Sequence, residues 1–335
     1  MPQQHLLSLL FLSFICASLC HSVPVNTADD LINLFQNASG DTLKTDIIVI
    51  ADLDFSASNL TLPLGAFSNG TCVAFSGLFQ GNGHSINGLT MNNTFLQGYK
   101  HAGLFCSLKD AIVENLVIDA SCSFVGYNAG ALSVSVSGSL TATHIINKAA
   151  VNGKSGVGGF IGFINNMKQQ QADILFEDCV NDGIVCEDLG SAGGFIGRIS
   201  NSGGMTAHFL NSLNNGNVTG AANNAGGFVG FVSYHNATAL TISNSSNSGT
   251  VTSSLRGGGF VGWISGQVIS VTMAMAIVNS TNNGIVIGSG DNHVGGFVGV
   301  TYGGMVMIIS NSTNNGNITG RSQYVGGFVG YICPH

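Results

Sequence analysis

The amino-acid sequence predicts an all-β fold: a right-handed parallel β-helix of coils about 31–37 residues long, three strands to a coil, with a short N-terminal helix capping the stack. Three observations carry that expectation. The string Gly-Gly-Phe-Ile/Val-Gly returns with its phenylalanine at Phe160, Phe195, Phe228, Phe260, Phe297 and Phe328, at intervals of 35, 33, 32, 37 and 31 residues. A period of this size marks a stacked repeat. A turn glycine (Gly183, Gly216, Gly249, Gly284, Gly316) stands 11 to 13 residues before each phenylalanine from Phe195 onward, so one connection is nearly constant while the other, at 19 to 24 residues, absorbs the insertions. Finally, no amphipathic helical pattern of about 10–15 residues follows residue 40, which excludes a doubly wound α/β sheet. Right-handedness follows from the general preference of parallel crossover connections.

Taken in order, residues 1–22 hold no Asp, Glu, Lys or Arg and contain an apolar run at residues 6–20, the pattern of a secretory signal peptide cleaved after Ser22. Residues 23–74 form the cap. Thr27 is a helix N-cap, Asp29 and Asp30 occupy the first turn, and Leu31, Leu34 and Phe35 share an apolar face; a strand follows at residues 46–55. The solenoid runs over residues 75–335, with a lead-in coil at 75–86 and degenerate coils around 102–105 and 129–132. In a full repeat the strands fall at residues 226–232, 238–243 and 249–252. Between the last two lies Asn244-Ser245-Ser246-Asn247-Ser248-Gly249, with counterparts at 211–216, 279–284 and 311–316. Asn tolerates left-handed backbone and Gly accepts positive φ, so the string suits a corner, and stacked corners set Asn above Asn in amide ladders. The sequence stops at Cys333-Pro334-His335, seven residues past Phe328 and inside a repeat. That points to a truncated C-terminus, or to an open end closed by a partner or by edge-to-edge pairing.

Composition narrows the function. Only 7% of residues are charged, 9 Lys and Arg against 16 Asp and Glu for a net charge of -7, so the chain lacks the basic stripe that nucleic acid requires. No segment after the leader reaches about 18 uninterrupted apolar residues, so no transmembrane segment is expected. Ten N-x-S/T sequons, from Asn37 to Asn317, agree with export to a secreted or cell-surface location as a glycoprotein. Six cysteines remain after the leader, an even number that permits disulfides in an oxidising compartment; Cys179 and Cys186 flank the turn at Asp182-Gly183 and are placed for a local bridge.

The units resemble the GLUG-type repeat. Gly193-Gly194-Phe195-Ile196-Gly197 through Leu213-Asn214-Asn215-Gly216-Asn217-Val218-Thr219-Gly220 follows its pattern throughout, and the resemblance covers roughly residues 75–335, with Phe where that family often has Leu. It implies a β-solenoid array of the kind found in secreted or surface-attached, adhesin-like proteins, including arrays beside the peptidase domain of IgA-cleaving enzymes. The sequence contains no H-E-x-x-H, so peptidase activity is not implied.

The expectation for function is therefore an adhesin-like binding or structural module, not an enzyme, with no cofactor, no metal and no catalytic residue. Its partner would be a host or extracellular glycan or protein. The alternative is a carbohydrate-active β-helix enzyme, a polysaccharide lyase or hydrolase, which needs carboxylates at glycosidase separations or calcium-binding acids. The one acidic concentration, Asp173, Glu177, Asp178, Asp182, Glu187 and Asp188, reads as a solvated face. Within the repeat the six phenylalanines point inward as a stack, sharing a face with the residues two and four positions on. The opposite face, three residues after each phenylalanine, reads Phe163, Arg198, Phe231, Trp263, Val300 and Tyr331. An unpaired Arg is costly to bury, so Phe163, Phe231, Trp263 and Tyr331 are expected to form an outward aromatic stripe, the candidate binding residues, open to solvent or covered by the variable connections.

Overall fold

The computed structural model describes residues 22–38, 40–93, 100–166, 171–201, 203–234, 238–266, 273–290, 293–321 and 324–333; the expected leader lies outside them, apart from Ser22. The chain is a parallel β-solenoid. One coil consists of strands Ile196–Asn201, Met205–Leu210, Leu213–Asn214, Val218–Gly220 and Asn224–Gly226, and the next begins at Val229 directly above Ile196. Copies of these strands stack into four sheets of 17, 8, 7 and 10 strands, the second and third strands of each coil sharing the 17-stranded sheet. Every pairing between named strands is parallel; one antiparallel bridge joins Ala66 to Cys72 outside them.

The coil is thus divided more finely than the three strands expected. The Gly-Gly-Phe-Ile/Val-Gly string is not one strand but the corner between Asn224–Gly226 and Val229–Tyr234, with Gly227 and Phe228 in the bend. Backbone proximity dictates the glycines. A Cβ on Gly227 would lie 2.5 Å from the ladder oxygen Asn247 Oδ1, and one on Gly230 would lie 2.5 Å from the Ala192 carbonyl. The bend also resets the strand alternation, so Val229, directly after the phenylalanine, is buried beside Phe228 and Val232.

Phe160, Phe195, Phe228, Phe260 and Phe297 are fully buried, their ring centroids 5.0, 4.6, 5.1 and 5.1 Å apart in sequence. These separations match the ~4.7–4.9 Å between neighbouring strands, so the rings inherit the pitch of the backbone ladder. Phe209 closes the stack from the 17-stranded sheet, meeting Phe195 and Phe228 edge-on at 81° and 89°. Phe328 departs from the expected core. It stacks on Phe297 at 5.1 Å but is 44% exposed, because no coil lies over its outer face among the described residues.

A second column runs through the corner that follows the longer strands of the 17-stranded sheet. Asn147, Asn181, Asn214, Asn247 and Asn282 have no exposed surface, and each Nδ2 donates to Oδ1 of the next, through to Asn314, at 2.7–2.8 Å. The other Nδ2 hydrogen goes to a carbonyl two residues on, as from Asn214 to Gly216 at 2.9 Å. Just upstream, Asn211, Asn244, Asn279 and Asn311 hold φ of 49–50°, the left-handed turn that their short amides tolerate.

The stack reaches upstream of residue 75: Val23–Val25 pairs with Ile47–Val49, which pairs with Leu78–Gln80. Helix α1 (Ala28–Gln36) forms one side of that first turn. Thr27 caps it, accepting from the Asp30 N–H while the Asp30 carboxylate accepts from the Thr27 N–H, and Phe35 sits 6.1 Å from Phe75 and 5.7 Å from Phe105.

The expected Cys179–Cys186 bridge is not formed. The turn between them is a solenoid corner that carries the chain from one sheet to another, and Cys179 occupies the interior position held by Ser212 and Ser245 in later coils, its Sγ 3.4 Å from the Ala142 carbonyl. The disulfide joins Cys72 to Cys106, 34 residues apart and therefore one coil apart.

Two outcomes follow. Phe228→Ala, which removes a fully buried ring, should lower stability in denaturant titration by about 3–5 kcal/mol, whereas Phe328→Ala should cost less than half as much; equal losses would contradict the burial difference. Paired replacement of Cys72 and Cys106 by Ser should cost about 3–4 kcal/mol by loop-closure entropy, and mass mapping of the unreduced digest should show their peptides linked, with Cys179 and Cys186 free.

Candidate functional site

Outward side chains of two sheets meet across the glycine corner. From the 10-stranded sheet comes the register column Phe163, Arg198, Phe231, Trp263, Val300, Tyr331. From the 7-stranded sheet comes a column including Ser191, Asn224, Arg256, His293 and Tyr324. Because the backbones nearly touch at Gly230 and Gly262, the two columns form the walls of a shallow groove along the solenoid.

Among the described residues, members of the stripe cover one another. Arg198 is exposed and its Cζ lies 5.4 Å from the Phe231 ring centroid. Phe231 stacks on Trp263 at 4.3 Å and keeps only 9% of its surface. Arg256 lies over Trp263 at 4.0 Å and donates from Nη1 to Asn224 Oδ1 at 3.3 Å. Such cation–ring contacts are worth about 0.5–2 kcal/mol, more as water is excluded. Trp263 Nε1 and Arg256 Nε are buried without hydrogen-bond partners. Val300 is fully buried and interrupts the line. Beyond it, Tyr331 joins His293 at 5.0 Å and Tyr324 at 4.8 Å, His293 stacking flat on Tyr324 at 11°, and Tyr302 links this cluster, through Tyr331 at 6.4 Å, to Trp263 at 6.3 Å.

Near Phe163 the groove deepens into a hollow of about 230 Å³ lined by Asn128, Ser155, Phe163, Asn165, Arg198 and Ser200. Arg198 Nε donates to Ser200 Oγ at 3.1 Å, and Asn165 Oδ1 is buried without a hydrogen-bond partner. Among the described residues neither Arg198 nor Arg256 pairs with a carboxylate; the ion pairs are His84–Asp52 and His144–Asp178. Burial lowers the Arg256 pKa, and burial followed by the Arg256 charge holds His293 below its ordinary value. A larger hollow of about 530 Å³ beside α1 offers neither an aromatic ring nor a cation.

The stripe residues were legible from the position three after each phenylalanine. The opposite wall was missed, although its signal is present: Ser191, Asn224, Arg256, His293 and Tyr324 each stand four residues before a repeat phenylalanine. The acidic concentration does not assemble. Asp173 accepts from the Thr206 hydroxyl, Asp178 faces His144, and Asp182 accepts from Asn215 Nδ2, each on its own part of the coil. No group of three or more His, Cys, Asp or Glu suited to a metal ion occurs among the described residues. Glu187 is buried, 1% exposed, with Oε1 accepting from the Leu189 N–H and Oε2 unpartnered; desolvation pushes its pKa up to about 8. Among the described residues no helix is long and apolar enough to cross a membrane.

No family model matches the chain. No curated protein matches it. Among solved structures it is similar to one described as a "putative immunoglobulin A1 protease" from Bacteroides ovatus, with a TM-score of 0.59 and 17% identity over 87% of this chain and 84% of that one. The likeness is one of fold. It corrects the expectation that the chain is not an enzyme, because a solenoid of this build occurs in a protein described as a protease.

Glu187 supplies a pH test. The unfolded chain ionises this carboxyl near 4.5, whereas the fold ionises it only at about 8, so the unfolded state gains between those values and stability falls as pH rises through that window. Glu187→Gln should flatten the fall in Tm and exceed the wild type above about pH 8. Parallel Tm curves for the two proteins would show that Glu187 does not carry this dependence.

Proposed function

We propose that the chain is an extracellular, adhesin-like recognition protein that lays an extended ligand, a glycan or a peptide segment, along the groove between the two wall columns. The observation that carries this reading is the combination, on a rigid stack, of the half-buried Phe163 ring in the wall of the hollow with two arginines that lack carboxylate partners among the described residues. Rings offer flat apolar faces to sugar rings and peptide side chains, and rings and cations held by a β-scaffold lose little entropy on binding. The uncharged apolar leader and the sequons support a secreted or surface location, and the repeat pattern supports a place in the GLUG-type family. The description of the similar solved structure favours a second reading, action on immunoglobulin A1, of which groove binding could be the recognition step.

The two readings separate in one pair of assays. On a glycan and peptide array the wild type should bind a restricted set of ligands, and Phe163→Ala should weaken that binding roughly fivefold to tenfold, the size of one lost ring contact, with unchanged Tm. Binding indifferent to Phe163 would move the site elsewhere. Incubation with immunoglobulin A1, followed by mass analysis of the products, tests the second reading; intact heavy chains would reject it.

A further inference from the structure

Building on the groove reading, we infer that the hollow between Phe163 and Arg198 is a subsite for the carboxylated ring of an acidic sugar. The hollow interrupts the repeat at two positions in adjacent coils. In the column Asn165, Ser200, Ser233, Ser265, Tyr302, Cys333 the first coil alone places an amide, and in the column Phe163, Arg198, Phe231, Trp263, Val300, Tyr331 the second coil alone places a cation. Asn165 gains nothing for the stack, leaving its buried oxygen unpartnered, and Arg198, which rests on the Phe231 ring, is exposed and without a carboxylate partner among the described residues. Departures from a locally consistent pattern without structural gain mark functional positions.

The chemistry of the lining selects the ligand. At about 230 Å³ the space falls below the ~300–1,000 Å³ of clefts for drug-sized molecules and suits a single ring. Phe163 supplies a platform for the apolar face of a pyranose. Asn165 Oδ1 awaits a donor, which a sugar hydroxyl provides, and Ser155 and Ser200 lie on the rim. Arg198 lines the space, steadied by its Nε bond to Ser200 Oγ and by the Phe231 ring, with no carboxylate in the lining. A chain with 16 acids to 9 bases that keeps every acid out of this hollow presents the guanidinium to an incoming anion. A neutral sugar would leave that cation unpaired, and an aspartate or glutamate side chain would leave the Phe163 face unfilled.

Calorimetric titration of the full chain tests the inference with four probes: trigalacturonate, a neutral galactose trisaccharide, 3′-sialyllactose and lactose. At least one acidic probe should bind about tenfold or more tightly than its neutral counterpart, a preference that weakens with salt. Which acidic probe prevails distinguishes a uronate from a sialate source. Arg198→Gln should remove the preference, bringing the acidic probe down to the affinity of its neutral counterpart. Asn165→Ser, which installs the residue of the next coil, should weaken acidic and neutral probes alike. If neutral probes bind as tightly as acidic ones, or if Arg198→Gln leaves acidic binding intact, the acidic-sugar subsite is wrong while groove binding stands. If none of the four binds or changes Trp263 fluorescence, while array ligands still bind in a Phe163-dependent way, the sugar subsite alone falls. Loss of array binding as well removes both.

Discussion

The buried asparagine ladder is the interaction on which the other features of the solenoid depend. A coil that turns through a corner leaves backbone carbonyls without partners on its own face, and a buried unpaired carbonyl costs about 1–3 kcal/mol. Asn181, Asn214, Asn247 and Asn282 each donate from Nδ2 both to a carbonyl of their own corner and to Oδ1 of the asparagine in the next coil. One side chain thus fixes both the turn and the vertical register. A slip by one residue would move every Asn out of the interior and every phenylalanine away from its neighbour.

With register fixed, the interior becomes a column problem. Phenylalanine fills the corner because glycine on either side lets the backbones approach, and the rings repeat at the strand pitch. That interior tolerates little change, whereas the outward positions of the same strands are constrained only by their two vertical neighbours. Variation therefore collects on the outside, and the groove walls, with Arg198, Trp263, Arg256 and His293 at repeat-equivalent places, are where neighbouring coils differ most in chemistry.

Scarcity of charge gives the remaining ones leverage. Arg256 lies among rings and an amide, where its charge is poorly screened and raises the cost of protonating His293. Glu187 is the opposite case, a carboxyl driven into a column occupied in other coils by Gly153, Gly220, Ser253 and Gly288, held protonated by the absence of water. A single coil thereby carries a local pH dependence that the repeat as a whole does not have.

The sequence by itself determined whatever is periodic along the chain: the solenoid, the inward phenylalanines from Phe160 to Phe297, the Asn corners, the Thr27 cap and the outward placement of Arg198. These follow from one-dimensional patterns, since a stacked repeat turns sequence spacing directly into position. Tertiary structure alone decided what lies across a corner or at an end. Whether the Gly-Gly-Phe string runs on as a strand or bends depends on backbone approach from the adjacent coil, and that bend brings Arg256 onto Trp263. The pairing of Cys72 with Cys106 instead of Cys179 with Cys186 follows from a vertical neighbour 34 residues away, which local turn chemistry does not register. Phe328 carries the same sequence signal as Phe297 yet is 44% exposed, because burial needs a coil on both sides and a repeat motif specifies only its own.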